Sequence, residues 1–156
     1  MKLTDHLKKE NIFLDAALAD KSSVLKYIAT ACARNGLVSS PEILHKGLLQ
    51  REQTMSTGVG NGIGFPHTAN PEAREAGVVL IRLATPIAFE SLDNQPVDIV
   101  LGMIFPASDP GIHVRMLARV SRLCQSQDFL DTIRHADNAD RLLKQMKLME
   151  NGTGVH

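Results

Sequence analysis

The sequence predicts an α/β fold in which a sheet packs against helices. Two aliphatic runs, GVVLIRLA at 77–84 and VDIVLGMIFPA at 97–107, have the β-branched, largely apolar character of buried strands. Segments with apolar residues at helical spacing stand before and after them. No linker, repeat or low-complexity block divides the 156 residues, a length at which one domain buries a core without disulfides or metals. Strands flanked by helices favour a layered α/β sandwich over an all-α or all-β fold.

Each element follows from local residues. The N-terminal stretch MKLTDHLKKENIF carries charge with no apolar run behind it, which argues against a signal peptide. The segment DKSSVLKYIATACARNG reads as a helix, with Val24, Leu25, Ile28 and Cys32 on one stripe and Gly36 as its stop. A second helix, SPEILHKGLLQRE, has Ser40 at the N-cap and Pro41 in the first turn, with Leu44, Leu48 and Arg51 sharing a face. Between the two strands, TPIAFESLDNQP carries turn chemistry at Asp93, Asn94 and Pro96. The third helix, DPGIHVRMLARVSRLCQS, is capped by Asp109, opened by Pro110 and striped by Ile112, Met116, Val120 and Leu123. QDFLDTIRHA and NADRLLKQMKLM follow as two shorter helices. A single domain is expected over 1–150, and 151–156 is expected to be a flexible tail.

Composition narrows the function classes. Lys and Arg together equal Asp and Glu, 17 against 17, so no net basic field exists to hold nucleic acid or an anionic membrane. Aromatic residues, at 4%, are too scarce for a base-stacking platform. The longest apolar run, Ile99 to Phe105, is far too short to cross a bilayer, and a cytoplasmic protein is expected. Cys32 and Cys124 sit in apolar helical patterns and read as buried free thiols.

The most unusual stretch is STGVGNGIGFPH at 56–67. Gly58, Gly60, Gly62 and Gly64 occupy alternate positions, followed by Pro66 and His67. A dinucleotide fingerprint needs a further glycine five places after the first, but Ile63 stands there counting from Gly58 and Phe65 counting from Gly60. No G-K-[ST] follows, which removes an ATPase-type phosphate loop. Alternate glycines suit an extended chain with one bare face, approached by a second backbone or by a partner protein. Both remain open from the glycines alone; a docking donor protein would use the bare face to come close to the chain. Pro66 fixes its own φ and restricts Phe65, so His67 leaves the segment in a defined direction.

A second histidine gives His67 a possible chemistry. His113 lies in the first turn of the helix capped by Asp109, where unpaired N–H groups and the helix dipole favour an anion. Facing each other, the two rings would form a nucleophile and an anion stabiliser. Phosphoryl transfer needs chiefly positioning and charge stabilisation. Competing uses of histidine lack their signatures: H-E-x-x-H, C-x-x-C and G-x-S-x-G are all absent, and His6, His45, His135 and His156 are scattered, so no metal site is expected.

These residues resemble a known family pattern. Arg51, Glu52, Ser56, Thr57, Gly58, Gly60, Gly62, Pro66 and His67, in that order, with DPGIH and LARVSRL downstream, are similar to the IIA component of the bacterial phosphoenolpyruvate:sugar phosphotransferase system, in its fructose/mannitol/nitrogen-regulatory superfamily. The resemblance implies a mixed, roughly five-stranded sheet with helices on both faces. It implies that His67 is phosphorylated by the histidine phosphocarrier protein HPr or its nitrogen-branch counterpart, and that His113 steadies the phosphoryl group. Arg51 would lie near the site, Ser56 and Thr57 would help bind the phosphoryl oxygens, and no cofactor would be required. The protein would be a phosphotransferase component whose acceptor is a separate IIB component or a regulatory protein. TPIAFESLDNQPVDIVL looks closest to the nitrogen-regulatory branch. A sugar-specific component serving uptake, or a binding module that has lost phosphate transfer, are the alternatives. Gly64 and Phe65 depart from the Ala and aliphatic residue usual in the family, and bear on positioning and partner preference.

Overall fold

A computed structural model describes residues 1–152 of the chain. The elements run β1 (Leu7–Ala16), α1 (Lys21–Arg34), α2 (Pro41–Thr54), β2 (Gly58–Gly60), β3 (Ile63–Gly64), β4 (His67–Asn70), β5 (Gly77–Ile87), β6 (Val97–Pro106), α3 (Pro110–Leu123), α4 (Gln127–Arg134) and α5 (Ala139–Gly152), after a 3-10 turn at Leu3–Asp5. The expected α/β architecture is present, with six strands in a mixed sheet. Five follow the path β1-β5-β6-β3-β2, and β4 also pairs with β6. β5 and β6 are antiparallel, whereas β1 is parallel to β5, and β3 and β4 are parallel to β6.

The helix signals act where the sequence places them. Ser40 accepts from the Ile43 N–H, Asp109 from Ile112 and Asp20 from Ser23. The helices cover both faces of the sheet. One core unites Val78, Leu80, Leu101 and Met103 with Met116 and Val120 of α3, Phe129 of α4 and Met146 of α5. The other unites Val79, Ile81, Val100 and Ile104 with Leu25 and Ile28 of α1 and Leu44 and Leu48 of α2. Alternate strand residues thus feed opposite cores, which is why the two strands read as continuous apolar runs. Cys32 and Cys124 are buried and free, and burial pushes each thiol up to about 12.

β1 was not visible in the sequence. It pairs along the sheet edge, but its register breaks between Leu7 and Ile12, and that break removes the alternation by which a strand is recognised. At the chain's other end α5 continues through Asn151 and Gly152, and the rest of the expected tail lies outside the described residues. Among the described residues no helix is long and apolar enough to cross a membrane.

β3 and β4 form one path beside β6. Ile63 opposes Ile99, Gly64 opposes Val100, His67 opposes Met103 and Thr68 opposes Ile104, a constant offset that survives the break at Phe65–Pro66. Proline has no N–H for a ladder, yet its carbonyl accepts from Met103 N at 2.9 Å. The path therefore stays in register across the proline, and the ladder to β6 contributes to the direction of His67.

Candidate functional site

Two imidazoles far apart in sequence meet at the C-terminal end of β6. His67 opens β4, on the same sheet face as Ile63 and Phe65, whose side chains join the core beneath α3. Phe105 near the end of β6 lies flat against His113, with centroids 4.3 Å apart and ring planes 18° apart. His113 is thereby held edge-on to His67, with ring centroids 5.4 Å apart and planes at 75°. Phe105, which the sequence presented only as part of an apolar run, is the platform on which the second histidine rests.

The hydrogen bonds of His67 define its tautomer. Its Nδ1 lies 2.7 Å from the Phe65 carbonyl. A carbonyl only accepts, so Nδ1 carries the proton and Nε2 of the neutral ring carries the lone pair. His67 is 7% exposed. Only His45 Nε2 and Ser91 Oγ are sealed and unpartnered polar side-chain atoms among the described residues, so the lone pair on His67 Nε2 is not entombed. Burial pushes the His67 pKa below its ordinary value, and nearby Arg51 and His113 act in the same direction, against the Phe65 carbonyl and Glu52. His113 is lowered as well, by burial and then by Arg51. Arg51 thus stands close enough to act on both rings, and it also donates to the Met55 carbonyl at 2.9 Å. A neutral ring nitrogen facing a second imidazole in the first turn of α3, with the Arg51 guanidinium acting on both, is an arrangement capable of nucleophilic attack on an anionic group.

Ser56 and Thr57 connect α2 to β2, with their hydroxyl protons engaged by the chain itself. Ser56 donates to the Phe89 carbonyl at 2.8 Å, and its oxygen accepts from Gly58 N at 3.1 Å. Thr57 donates through both its hydroxyl and its N–H to the Glu52 carboxylate. Glu52, buried near the end of α2, also receives Lys21 Nζ at 3.0 Å, and that ammonium lies 4.6 Å from the centroid of the Phe89 ring. Lys21 and Glu52 went unrecognised as contributors because a charged residue at a helix end ordinarily faces water. The one signal in the sequence was the Arg51–Glu52 pair itself.

Gly58 and Gly64 answer to the chain's own packing, which corrects for them the expectation of a face kept bare for a donor, while Gly60 and Gly62 adopt positive φ. Residues 89–92 cross against Gly58 and Gly64. A Cβ on Gly58 would lie 2.4 Å from Ser91 Oγ and 3.1 Å from its Cα, and one on Gly64 would lie 2.8 Å from Phe89 Cε2. Leu92 N donates to the Gly58 carbonyl at 2.9 Å, fixing this approach. Gly58→Ala is expected to destabilise the fold by about 1–3 kcal/mol through overpacking, measurable by urea denaturation.

Known proteins share this fold. The description "Phosphoenolpyruvate-dependent sugar phosphotransferase system, EIIA 2" fits residues 5–148 as a family profile. The nitrogen regulatory protein of Bradyrhizobium diazoefficiens is 32% identical over 149 residues, covering 95% of this chain and 96% of that protein. The crystal structure of nitrogen regulatory protein IIA-Ntr from Neisseria meningitidis superposes with a TM-score of 0.86 at 21% identity, covering 92% of this chain and 98% of that one. IIA mannitol of Escherichia coli, in its complex with phosphorylated IIB mannitol, superposes with a TM-score of 0.74 at 21% identity over 90% and 98% of the respective chains. Fold and sequence together define a phosphotransfer protein of the IIA class. The chain belongs to the EIIA type 2 family of the phosphoenolpyruvate-dependent sugar phosphotransferase system.

Proposed function

We propose that the protein is a histidine phosphocarrier that accepts a phosphoryl group on His67 Nε2 from HPr or its nitrogen-branch counterpart. The observation carrying this reading is the Nδ1–Phe65 carbonyl bond, which leaves Nε2 as the nucleophile beside His113 and Arg51. The lone pair of Nε2 attacks phosphorus as the donor's P–N bond breaks and returns its electron pair to the donor imidazole. The attacking ring gains positive charge while its Nδ1 proton stays in place. The bond to the Phe65 carbonyl then becomes charge-assisted and shorter, which favours the phosphorylated state. His113, steadied by Phe105, and Arg51 hold the phosphoryl oxygens. Ser56 and Thr57 act as positioning residues through the bonds that fix the approach loop. No cofactor enters the step.

The surroundings suit docking of a protein donor. Met55 and Val114 are large apolar side chains left exposed beside the site, since the Met55 carbonyl accepts from Arg51 and Val114 follows His113. Apolar exposure around a polar centre is the anatomy of a protein interface. The relatedness to nitrogen regulatory proteins supports a role in which the phosphorylation state regulates a target, since the added negative charge at this surface alters partner affinity. Relay to a IIB component is the second reading, and a sugar-specific uptake component is its fuller form.

Reconstitution with phosphoenolpyruvate, enzyme I and each HPr-type donor tests the proposal: acid-labile phosphate should appear on this protein, and its absence with every donor would reject phosphocarriage. Onward transfer to a IIB protein would favour relay over regulation. The protonation argument has its own test. An NMR titration of the His67 ring should give a midpoint below the ordinary imidazole value of about 6.5. A midpoint at or above that value contradicts the neutral nucleophile.

A further inference from the structure

A second concave site, lined in part by His6, lies on the edge of the sheet away from His67 and His113. One register row runs from His67 through Met103 and Val78 to Leu7, and the cavity opens at the β1 end of that row. Its volume is about 780 Å³, within the range of small-molecule sites. None of the site residues around His67 lines it.

The β1 irregularity helps build this cavity. Leu7 opposes Val78 and Ile12 opposes Leu80, so five steps along β1 match two along β5, and three extra residues leave the ladder. Such bulges re-aim side chains. Here Lys8 and Asn11 line one wall, opposite Asn35 at the end of α1 and Arg74 and Glu75 before β5.

The lining holds His6, two cations and two carboxylates, and several of its donors are unused. Asn11 is 8% exposed and its Oδ1 accepts from the Asn35 amide. Its own NH2 group has no partner, and it is not one of the sealed polar atoms, so it opens into the cavity as a buried, unused donor. Lys8 and Arg74 line the cavity without an ion pair among the described residues. The Glu72 carboxylate is already engaged by the Ser39 hydroxyl and by the N–H groups of Ser39 and Ser40. Glu75 is the one carboxylate of the lining left without a partner, against two cations and the Asn11 amide.

We propose that this cavity binds a small organic anion, up to nucleotide size, through a phosphate or carboxylate group held by Lys8, Arg74 and the Asn11 amide. Charge-assisted bonds from these groups are the strong ones, and the apolar wall of Leu37 and Val38 leaves room for the remainder of the ligand.

Titration of the folded protein with AMP, citrate and inorganic phosphate, followed by the NMR signals of the Asn11 side-chain amide, tests the assignment. Saturable displacement of those signals by AMP or citrate is expected, with inorganic phosphate weaker. AMP alone would identify a phosphate ligand and citrate alone a carboxylate ligand. Lys8→Ala combined with Arg74→Ala, both at exposed positions, should weaken binding at least about tenfold. The same variant should leave phosphoryl acceptance at His67 unchanged, so failure here is distinguishable from failure of the phosphocarrier reading. Asn11 signals unmoved by all three probes, or unchanged affinity in the double variant, would overturn the proposal.

Discussion

His67→Gln is expected to take up no phosphate from any donor while remaining folded. Glutamine has no ring nitrogen with a free lone pair, so the nucleophile is removed outright. The loss should be complete in a labelling assay. Residual labelling at the wild-type level would move the phosphorylated residue elsewhere. The same variant carries a stability signature. The folded state holds His67 neutral, below its ordinary pKa, whereas the unfolded chain protonates it at the ordinary value near 6.5. As pH falls through that value, the unfolded state binds more protons, so the wild type loses stability. His67→Gln lacks this term, and its unfolding free energy should fall less steeply over that window. Equal slopes in the two proteins would show that burial does not hold the ring neutral.

The parts of the fold that the sequence shows are those where local chemistry and the final structure agree. Ser40 and Asp109 cap helices because their side chains reach N–H groups three residues on, an interaction that needs no distant partner. β5 and β6 are legible because both faces of each are buried, which demands an unbroken aliphatic run. His67 and His113 could be singled out by the Pro66 constraint and by a helix N-terminus. Their convergence could not, because it depends on β3 and β4 sharing one register with β6 and on Phe105 occupying the space beneath His113. β1 was hidden by its own bulge. The glycines pointed correctly to close approach, and the choice between a partner and the chain itself rested on where residues 89–92 would pass. A tertiary crossing of that kind leaves no periodic trace in the sequence.

The second large effect is expected at Glu52, a residue that touches neither imidazole. A chain of bonds runs from it to the nucleophile. Its carboxylate receives the Thr57 N–H at 3.2 Å. The Thr57 carbonyl accepts from Phe65 N at 3.0 Å, and the Phe65 carbonyl orients His67 Nδ1 at 2.7 Å. Glu52 also balances Lys21, whose side chain is only 15% exposed. In Glu52→Ala the Thr57 N–H and hydroxyl lose their acceptor, and Lys21 keeps the Phe89 ring, the Ser56 hydroxyl at 3.5 Å and Glu90, whose side chain is 85% exposed and 3.8 Å away. Breaking a buried pair from one side costs about 3 kcal/mol. Chemical denaturation should report that loss. Below the melting transition, phosphoryl acceptance should also fall, because the loop that aims His67 is no longer tied to α2. A structural role alone would lower stability and leave the rate of the folded fraction untouched, so the two measurements separate the cases. Glu52→Gln should fall between wild type and alanine in both, since its amide oxygen can accept from the Thr57 N–H but carries no charge for Lys21. A folded Glu52→Ala protein that accepts phosphate at the wild-type rate would show that the aim of His67 is set by the sheet register alone.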